Sequence, residues 1–466
     1  MTTTALTVDL DELRASVRGP VVVDGDPTYD ERRRVWNGMY DRRPAAIVAC
    51  TGVADVVAGI RFATSRGIDV AVRCGGHGIT GSGTCDDGIV LDLSPMHAVH
   101  VDPGTRTVVV QGGTRLGQLD RETQAFGLAV PAGVVSDTGV GGLTLGGGVG
   151  WLMRKHGLTI DNLLACQVVT ATGDVITASA TEHPDLFWAL RGGGGNFGIV
   201  TAFTFRAHEV GPTVLGGFAL WPLERAAEVL PTVADIGQDA PDELGMMAVL
   251  GSAPPLPELP ADLRGRPAIS VAVCWTGPAA DGERVLAGLR ALDPALQMIG
   301  PLPFTALQSM GDATAPAGVR HYRKTGYLPD LRPEIVDVAI EHARSRTSDL
   351  SLIEIYLMGG QVPRVDEHDS AFGNRAGAYF FTAVGAWATP QEDAPGTAWV
   401  RRAAAAFAPF ALDGGYVNFL ADAGVDSVRQ AYGASTYDRL AEVKRRYDPS
   451  NVFHLNGNVR PAHRGE

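Results

Sequence analysis

The run Val70-Ala71-Val72-Arg73-Cys74-Gly75-Gly76-His77-Gly78-Ile79-Thr80-Gly81-Ser82-Gly83 ends an apolar, β-branched strand in a loop that holds five glycines. Glycine lets a backbone approach a ligand closely and visit positive φ. A row of free N–H groups in such a loop makes an anion-binding concavity. His77 stands in the middle of it. The run therefore reads either as a glycine-rich turn around a hydrogen-bonded histidine or as a cradle for a phosphate-bearing cofactor with an imidazole at its reactive end. Two further clusters follow, Gly139 to Gly150 and Gly192 to Gly198. The third contains GxGxxG from Gly193 to Gly198. A dinucleotide fold needs a strand before that motif and a helix after it; here a helical pattern precedes and a strand pattern follows, which excludes nicotinamide binding by it. No GxxxxGK[ST] run is present. Three clusters within one domain's length suggest backbone lining a large ligand, against a β-rich domain with tight turns.

At 466 residues the chain exceeds a single core, so two domains are expected. The net charge of −13 argues against nucleic acid and anionic membrane as partners. Five cysteines, odd in number and without a CxxC pair, argue against a disulfide framework or a zinc site. The start, MTTTALTVDLDELRASV, lacks a cationic leader, and no apolar run is long enough to cross a bilayer. A cytoplasmic setting is the natural expectation.

The pattern of apolar residues predicts a short amphipathic helix near 8–18 and a strand at 45–49. A helix over 53–65 follows, then strands at 89–93 and 99–111, the latter with a turn at Asp102-Pro103-Gly104. Residues 114–126 read as helix, 164–170 and 175–178 as a hairpin, 184–190 as helix and 199–206 as strand. After about Val210, longer apolar strands (215–220, 269–275) alternate with helices (223–233, 281–291, 333–344), which suggests a sheet with helices on one face. Residues 435–446 read as a strong helix.

Longer ordered motifs carry a resemblance. The segments are Val72 to His77, Gly139 to Gly150 with Arg154-Lys155-His156-Gly157-Leu158 and Asp161-Asn162, Pro184 to Val200, and the tail Tyr437-Asp438-Arg439-Leu440 through Lys444, Tyr447-Asp448-Pro449, Asn451 and Phe453. Over essentially its whole length the chain resembles the berberine bridge enzyme-like branch of the vanillyl-alcohol oxidase superfamily, most of all the bacterial group typified by 6-hydroxy-D-nicotine oxidase. The resemblance implies an α+β fold: a two-subdomain PCMH-type FAD-binding domain over 1–210 (core about 41–210), a substrate domain over 211–424 with an antiparallel sheet covered by helices, and a segment over 425–466 returning to the FAD domain. It implies FAD bonded covalently through His77. Many relatives have a second link through a Cys shortly before the second glycine cluster; Val135 stands there, so a single link is expected. The resemblance assigns to the cofactor Arg73, Gly75, Gly76, His77, Gly78, Thr80 and Gly81 of the first loop and Asp137, Thr138, Gly139, Gly142, Leu143, Gly147 and Gly148 of the second. Asn162, Asn196, Gly198, Ile199, Val200, Asn451, Phe453 and Asn456 complete the set.

On the substrate side, the run 350–358 reads as a strand whose period of two puts Leu352, Glu354, Tyr356 and Met358 on one face. A carboxylate and a phenol on an otherwise apolar face suggest an active-site wall, with Glu354 as a base tuned by burial; a solvated strand edge fits the same pattern. Tyr416-Val417-Asn418-Phe419 resembles an element that faces the flavin in relatives, which adds Tyr416 to Glu354 and Tyr356 as catalytic candidates. Tyr379 is an outside candidate, and His97 and His100 read as structural or exposed. The expected activity is an FAD-dependent oxidase. It takes a hydride from a carbon bearing nitrogen or oxygen of a small molecule, with O2 as acceptor giving H2O2, in a monomer or homodimer without metal. Alternatives are an alcohol or sugar oxidase, a tailoring oxidase of secondary metabolism, and a non-catalytic flavin-binding protein.

Overall fold

A computed structural model describes residues 10–422 and 424–463, so the first residues of the helix expected near 8–18 lie outside the described residues. The fold is α+β and rests on three large sheets. The first holds β1 (Val21–Val22), β2 (Ala46–Ala49), β3 (Val70–Arg73) and β4 (Ile89–Asp92) in the order β1-β2-β4-β3. β2, β4 and β3 are parallel, and every residue of β2 and β4 is buried. Such unbroken burial is the mark of parallel strands covered on both faces. Helix Val53–Arg66 makes the crossover and packs Val56, Ile60 and Ala63 into this core.

The second sheet is antiparallel, with β5 (Val99–Asp102), β6 (Thr107–Gln111), β7 (Leu163–Val169), β8 (Val175–Ser179) and β9 (Ile199–Arg206) in the order β5-β6-β9-β7-β8. Leu116 and Leu119 from helix Leu116–Gln124 and Leu186 from helix Pro184–Leu190 share its core. So do Val428 from helix Val425–Tyr432 and Leu440 from helix Ala434–Tyr447. The tail thus packs against the first half of the chain.

The third sheet holds β10 (Thr213–Pro222), β11 (Leu244–Ser252), β12 (Pro267–Trp275), β13 (Arg320–Leu328), β14 (Leu352–Leu357) and β15 (Tyr379–Trp387) in the order β10-β12-β11-β14-β15-β13, with two short strands at the β10 edge. It is antiparallel throughout. Helices Ala226–Gln238, Pro333–Arg344 and Asp393–Phe407 bury one face, where Val229, Ile335 and Trp399 meet Ile353, Ile355 and Phe381. The period of two then turns Leu352, Glu354 and Tyr356 to the opposite face. The expected helix over 281–291 is two, Ala279–Val285 and Ala287–Ala291, parted at Leu286, whose ψ of 0° leaves the helical range. The second glycine cluster, Gly139 to Gly150, contains the short helix Val140–Leu145.

Candidate functional site

One cavity of about 1120 Å³ lies between the glycine loops and the open face of the third sheet. Its first wall is main chain. Gly75 and Gly139 touch backbone to backbone: a Cβ on either would fall 2.4 Å from the amide nitrogen of the other. Gly76 holds φ +70°, a left-handed conformation that a side chain would strain. Gly142 lines the cavity, and a Cβ there would meet nothing within 4 Å. The buried Oδ1 of Asn456 has no protein partner among the described residues, while its Nδ2 donates to the Gly195 carbonyl at 2.9 Å. A cradle with room for an added atom and an orphaned acceptor fits a large polar cofactor such as FAD.

His77 stands at the edge of this cradle, only 14 % exposed. Its Nε2 lies 3.3 Å from Asp137 Oδ2. Its ring stacks on Trp36 at 5.1 Å, and Trp36 stacks on His321 at 4.0 Å on the way to the third sheet. The hydrogen bond to His77 and the charge of Arg115 hold the Asp137 carboxyl below the ordinary range, against its partial burial.

The facing wall is made of side chains. The Tyr356 hydroxyl donates to Glu354 Oε2 at 3.3 Å. Burial raises the Glu354 pKa, opposed by Arg323 and by that hydrogen bond. Burial and the neighbouring Glu354 push the Tyr356 phenol well above its ordinary value. The Tyr416 hydroxyl accepts from the backbone N–H of Gly148 at 3.1 Å and from Asn418 Nδ2 at 3.0 Å, and burial raises its pKa. Phe380 packs edge-on against Tyr416, with centroids 5.6 Å apart.

Of the residues singled out in the sequence, Gly75, Gly76, His77, Gly78, Thr80, Thr138, Gly139, Gly142 and Leu143 line the cavity. Asn196, Gly198, Ile199, Val200, Phe453 and Asn456 line it too, as do Glu354, Tyr356 and Tyr416. Arg73 lines it as well, with its guanidinium bonded to Asp92 at 2.6 Å and to the Arg32 carbonyl. Others stand elsewhere. Asn162 is off the cavity, its Nδ2 bonded to the carbonyls of His156 and Leu158 and its Oδ1 to His208. Gly81, Gly147 and Gly148 sit against Tyr40, Phe372 and Thr159, where packing accounts for their lack of a side chain. Asn451 turns its carbonyl to His454. Asp137 is off the wall, beside His77. Tyr379 lies in the helix-covered core. Sequence reasoning missed Trp36, His321 and Arg323, all on the cavity wall.

Residues 44–179 match the FAD binding domain family and residues 415–460 the berberine and berberine like family. An FAD-linked oxidoreductase from Dictyostelium discoideum is 30% identical over 97% of each chain. The (R)-6-hydroxynicotine oxidase of Paenarthrobacter nicotinovorans is 32% identical over 96% of this chain and 97% of its own. The crystal structure of 6-hydroxy-D-nicotine oxidase from Arthrobacter nicotinovorans matches with a TM-score of 0.86 at 29% identity, over 96% of this chain and 99% of that one. A xylooligosaccharide oxidase from Thermothelomyces thermophilus is 28% identical over 97% of this chain and 94% of its own. Cradle, wall and whole-length similarity lead to the same assignment: the chain belongs to the berberine bridge enzyme-like FAD-linked oxidoreductases.

Proposed function

We propose that the protein is an oxidase with one covalent attachment to FAD, through His77, and that residues 1–210 with 425–466 form the cofactor half and 211–424 the substrate half. When bound, FAD supplies the two-electron acceptor for a hydride leaving a carbon that bears nitrogen or oxygen, and O2 then takes the electrons to give H2O2. The balance is simple: the substrate loses two electrons and two protons, and O2 gains both.

The observation that carries this reading is that His77 in its glycine loop and the Glu354–Tyr356–Tyr416 group line the same cavity. An ionised Asp137 only accepts, so the hydrogen of its contact belongs to His77 Nε2, which leaves the Nδ1 lone pair available as nucleophile. Val135 lines the cavity without a thiol, which supports a single link. Glu354 Oε2 is the proton acceptor, and Tyr356 orients it. Tyr416 stays a neutral phenol that positions substrate from the cradle side. The Leu352, Val384, Phe380 and Met247 side chains give the wall an apolar character that favours an organic body over a sugar.

Acid denaturation tests the linkage. The yellow colour stays with the wild-type polypeptide and is released from, or absent in, His77→Ala. Colour released from the wild type overturns the covalent assignment.

A further inference from the structure

Arg323 carries a charge on the cavity wall that acts on Glu354 from a distance but has no carboxylate within ion-pair reach among the described residues. It shares one face of β13 with His321, two residues away. On the other face, Arg320 and Lys324 belong to different partners: Arg320 pairs with Asp393 at 2.5 Å and Lys324 with Asp422 at 2.7 Å. Arg323 makes no ion pair among the described residues, and its buried Nε has no hydrogen-bond partner there. Its guanidinium carbon lies 4.9 Å from the Phe419 ring centroid and 5.8 Å from that of Trp36, both on the cavity wall. Both ring nitrogens of His321 are likewise buried and unpartnered. Burial, reinforced by Arg323, pushes the His321 pKa down to about 3, so the ring is neutral. Trp36 is fixed by its Nε1 donating to the Ala315 carbonyl at 2.8 Å. This corner therefore offers a cation and an imidazole, held between aromatic faces, to something outside the protein.

The register sets the distance to the reacting end. Arg323 pairs with Val384, and Val384 with Leu352. Two strand spacings, roughly 10 Å, separate the backbone of Arg323 from that of Leu352 across the sheet. Glu354 is the next residue of β14 on that face. Val384 and Leu352 between them are apolar.

We infer that the substrate of this oxidase is an organic acid: its carboxylate pairs with Arg323 and hydrogen-bonds His321, its apolar or aromatic body lies over Val384 and Leu352, and its oxidisable carbon sits at Glu354 and Tyr356. The inference rests on the oxidase reading. A guanidinium prefers a planar carboxylate, which it grips with two parallel hydrogen bonds.

The test is calorimetric titration of the purified, flavin-containing protein with 4-methylbenzoate and with its uncharged counterpart 4-methylbenzamide. Benzoate is expected to bind roughly tenfold or more tightly than the amide, the weight of one charge-assisted hydrogen bond. That preference disappears in Arg323→Met and is partly kept in Arg323→Lys, with the flavin spectrum confirming an intact cofactor site in each. Equal binding of the two probes by the wild type, no binding of benzoate, or an undiminished preference in Arg323→Met overturns the inference. A wild-type protein that carries no flavin refutes the oxidase reading instead, so the two failures are distinguishable.

Discussion

Gly75 and Gly139 meet main chain to main chain on one side of the cavity, whereas across from them Glu354 and Tyr356 meet side chain to side chain. The two walls answer different physical demands. A cofactor with a diphosphate needs close, directional N–H groups, and only residues without a Cβ let two loops approach within reach. A substrate wall needs chemistry at chosen points, so its backbone is an ordinary antiparallel sheet and its identity lies in a few side chains. The comparison predicts opposite sensitivities. The largest expected effect is Gly139→Ala: its Cβ falls 2.4 Å from the Gly75 nitrogen, which is backbone and has no flexible end to yield. The variant is expected to purify essentially without flavin, read as loss of visible absorbance per protein. Normal flavin content would break the claim that the cradle depends on the missing Cβ.

The same contrast explains how much was legible. The glycine loops were readable because a missing side chain is written directly in the sequence, and the parallel strands β2, β3 and β4 because each begins with a run of three or four apolar residues in a largely buried sheet. Glu354 and Tyr356 were readable because Ile353, Ile355 and Leu357 alternate with them. β13 was not, since Arg320, Tyr322 and Lys324 on one face are as polar as His321 and Arg323 on the other, and period two cannot say which face meets the cavity. Trp36 gave no signal, because its role depends on a stack with His321 from nearly three hundred residues away. Asn162 stands off the cavity because its amide is consumed by backbone carbonyls, and the Arg73 guanidinium is held by Asp92, partners that a motif alone does not reveal.

Glu354→Gln probes the opposite wall and keeps its shape. It should retain flavin while kcat falls on the order of 10²–10⁴-fold, the usual weight of a positioned general base. The pH profile gives a second reading. Glu354 accepts a proton only when ionised, and burial raises its pKa above the ordinary 4.5. The wild-type kcat/KM therefore falls as pH drops through that raised value, and the acid limb vanishes in the variant. An unchanged limb in Glu354→Gln would assign the base elsewhere.

The cradle is main chain, yet its main chain is held by a buried ion. Lys444, fully buried, donates from Nζ to Asp448 at 2.6 Å and to the carbonyls of Asn196 at 2.7 Å and Phe453 at 2.9 Å. It ties the tail to the third glycine loop. Lys444→Met leaves Asp448 buried without its cation, which costs about 3–5 kcal/mol. Chemical denaturation should register that loss, with weaker flavin retention alongside. If stability changed by less than about 1 kcal/mol, the cradle would be shown to stand without its side-chain anchor, and the contrast between the walls would be sharper still.

The smallest effect belongs to the seam where the two walls join. Asp120, buried in helix Leu116–Gln124, accepts from Gln308 Nε2 at 3.1 Å, and the same nitrogen reaches the Gly133 carbonyl at 3.0 Å beside the second glycine loop. Burial pushes the Asp120 carboxyl up to about 7, with the Gln308 hydrogen bond opposing. The native state therefore holds a proton that the unfolded chain releases near 3.8. The resulting stability is complete below that value and declines as pH rises to about 7, so the protein loses about 1.4 kcal/mol between pH 6 and 8 on this account. Asp120→Asn keeps a neutral acceptor for Gln308 at every pH and should flatten this part of the curve in thermal unfolding measured across pH 4–8. A slope that survives in the variant would place the titrating group outside the seam and leave Asp120 ionised within it, where its charge would have to be stabilised by more than the single amide of Gln308.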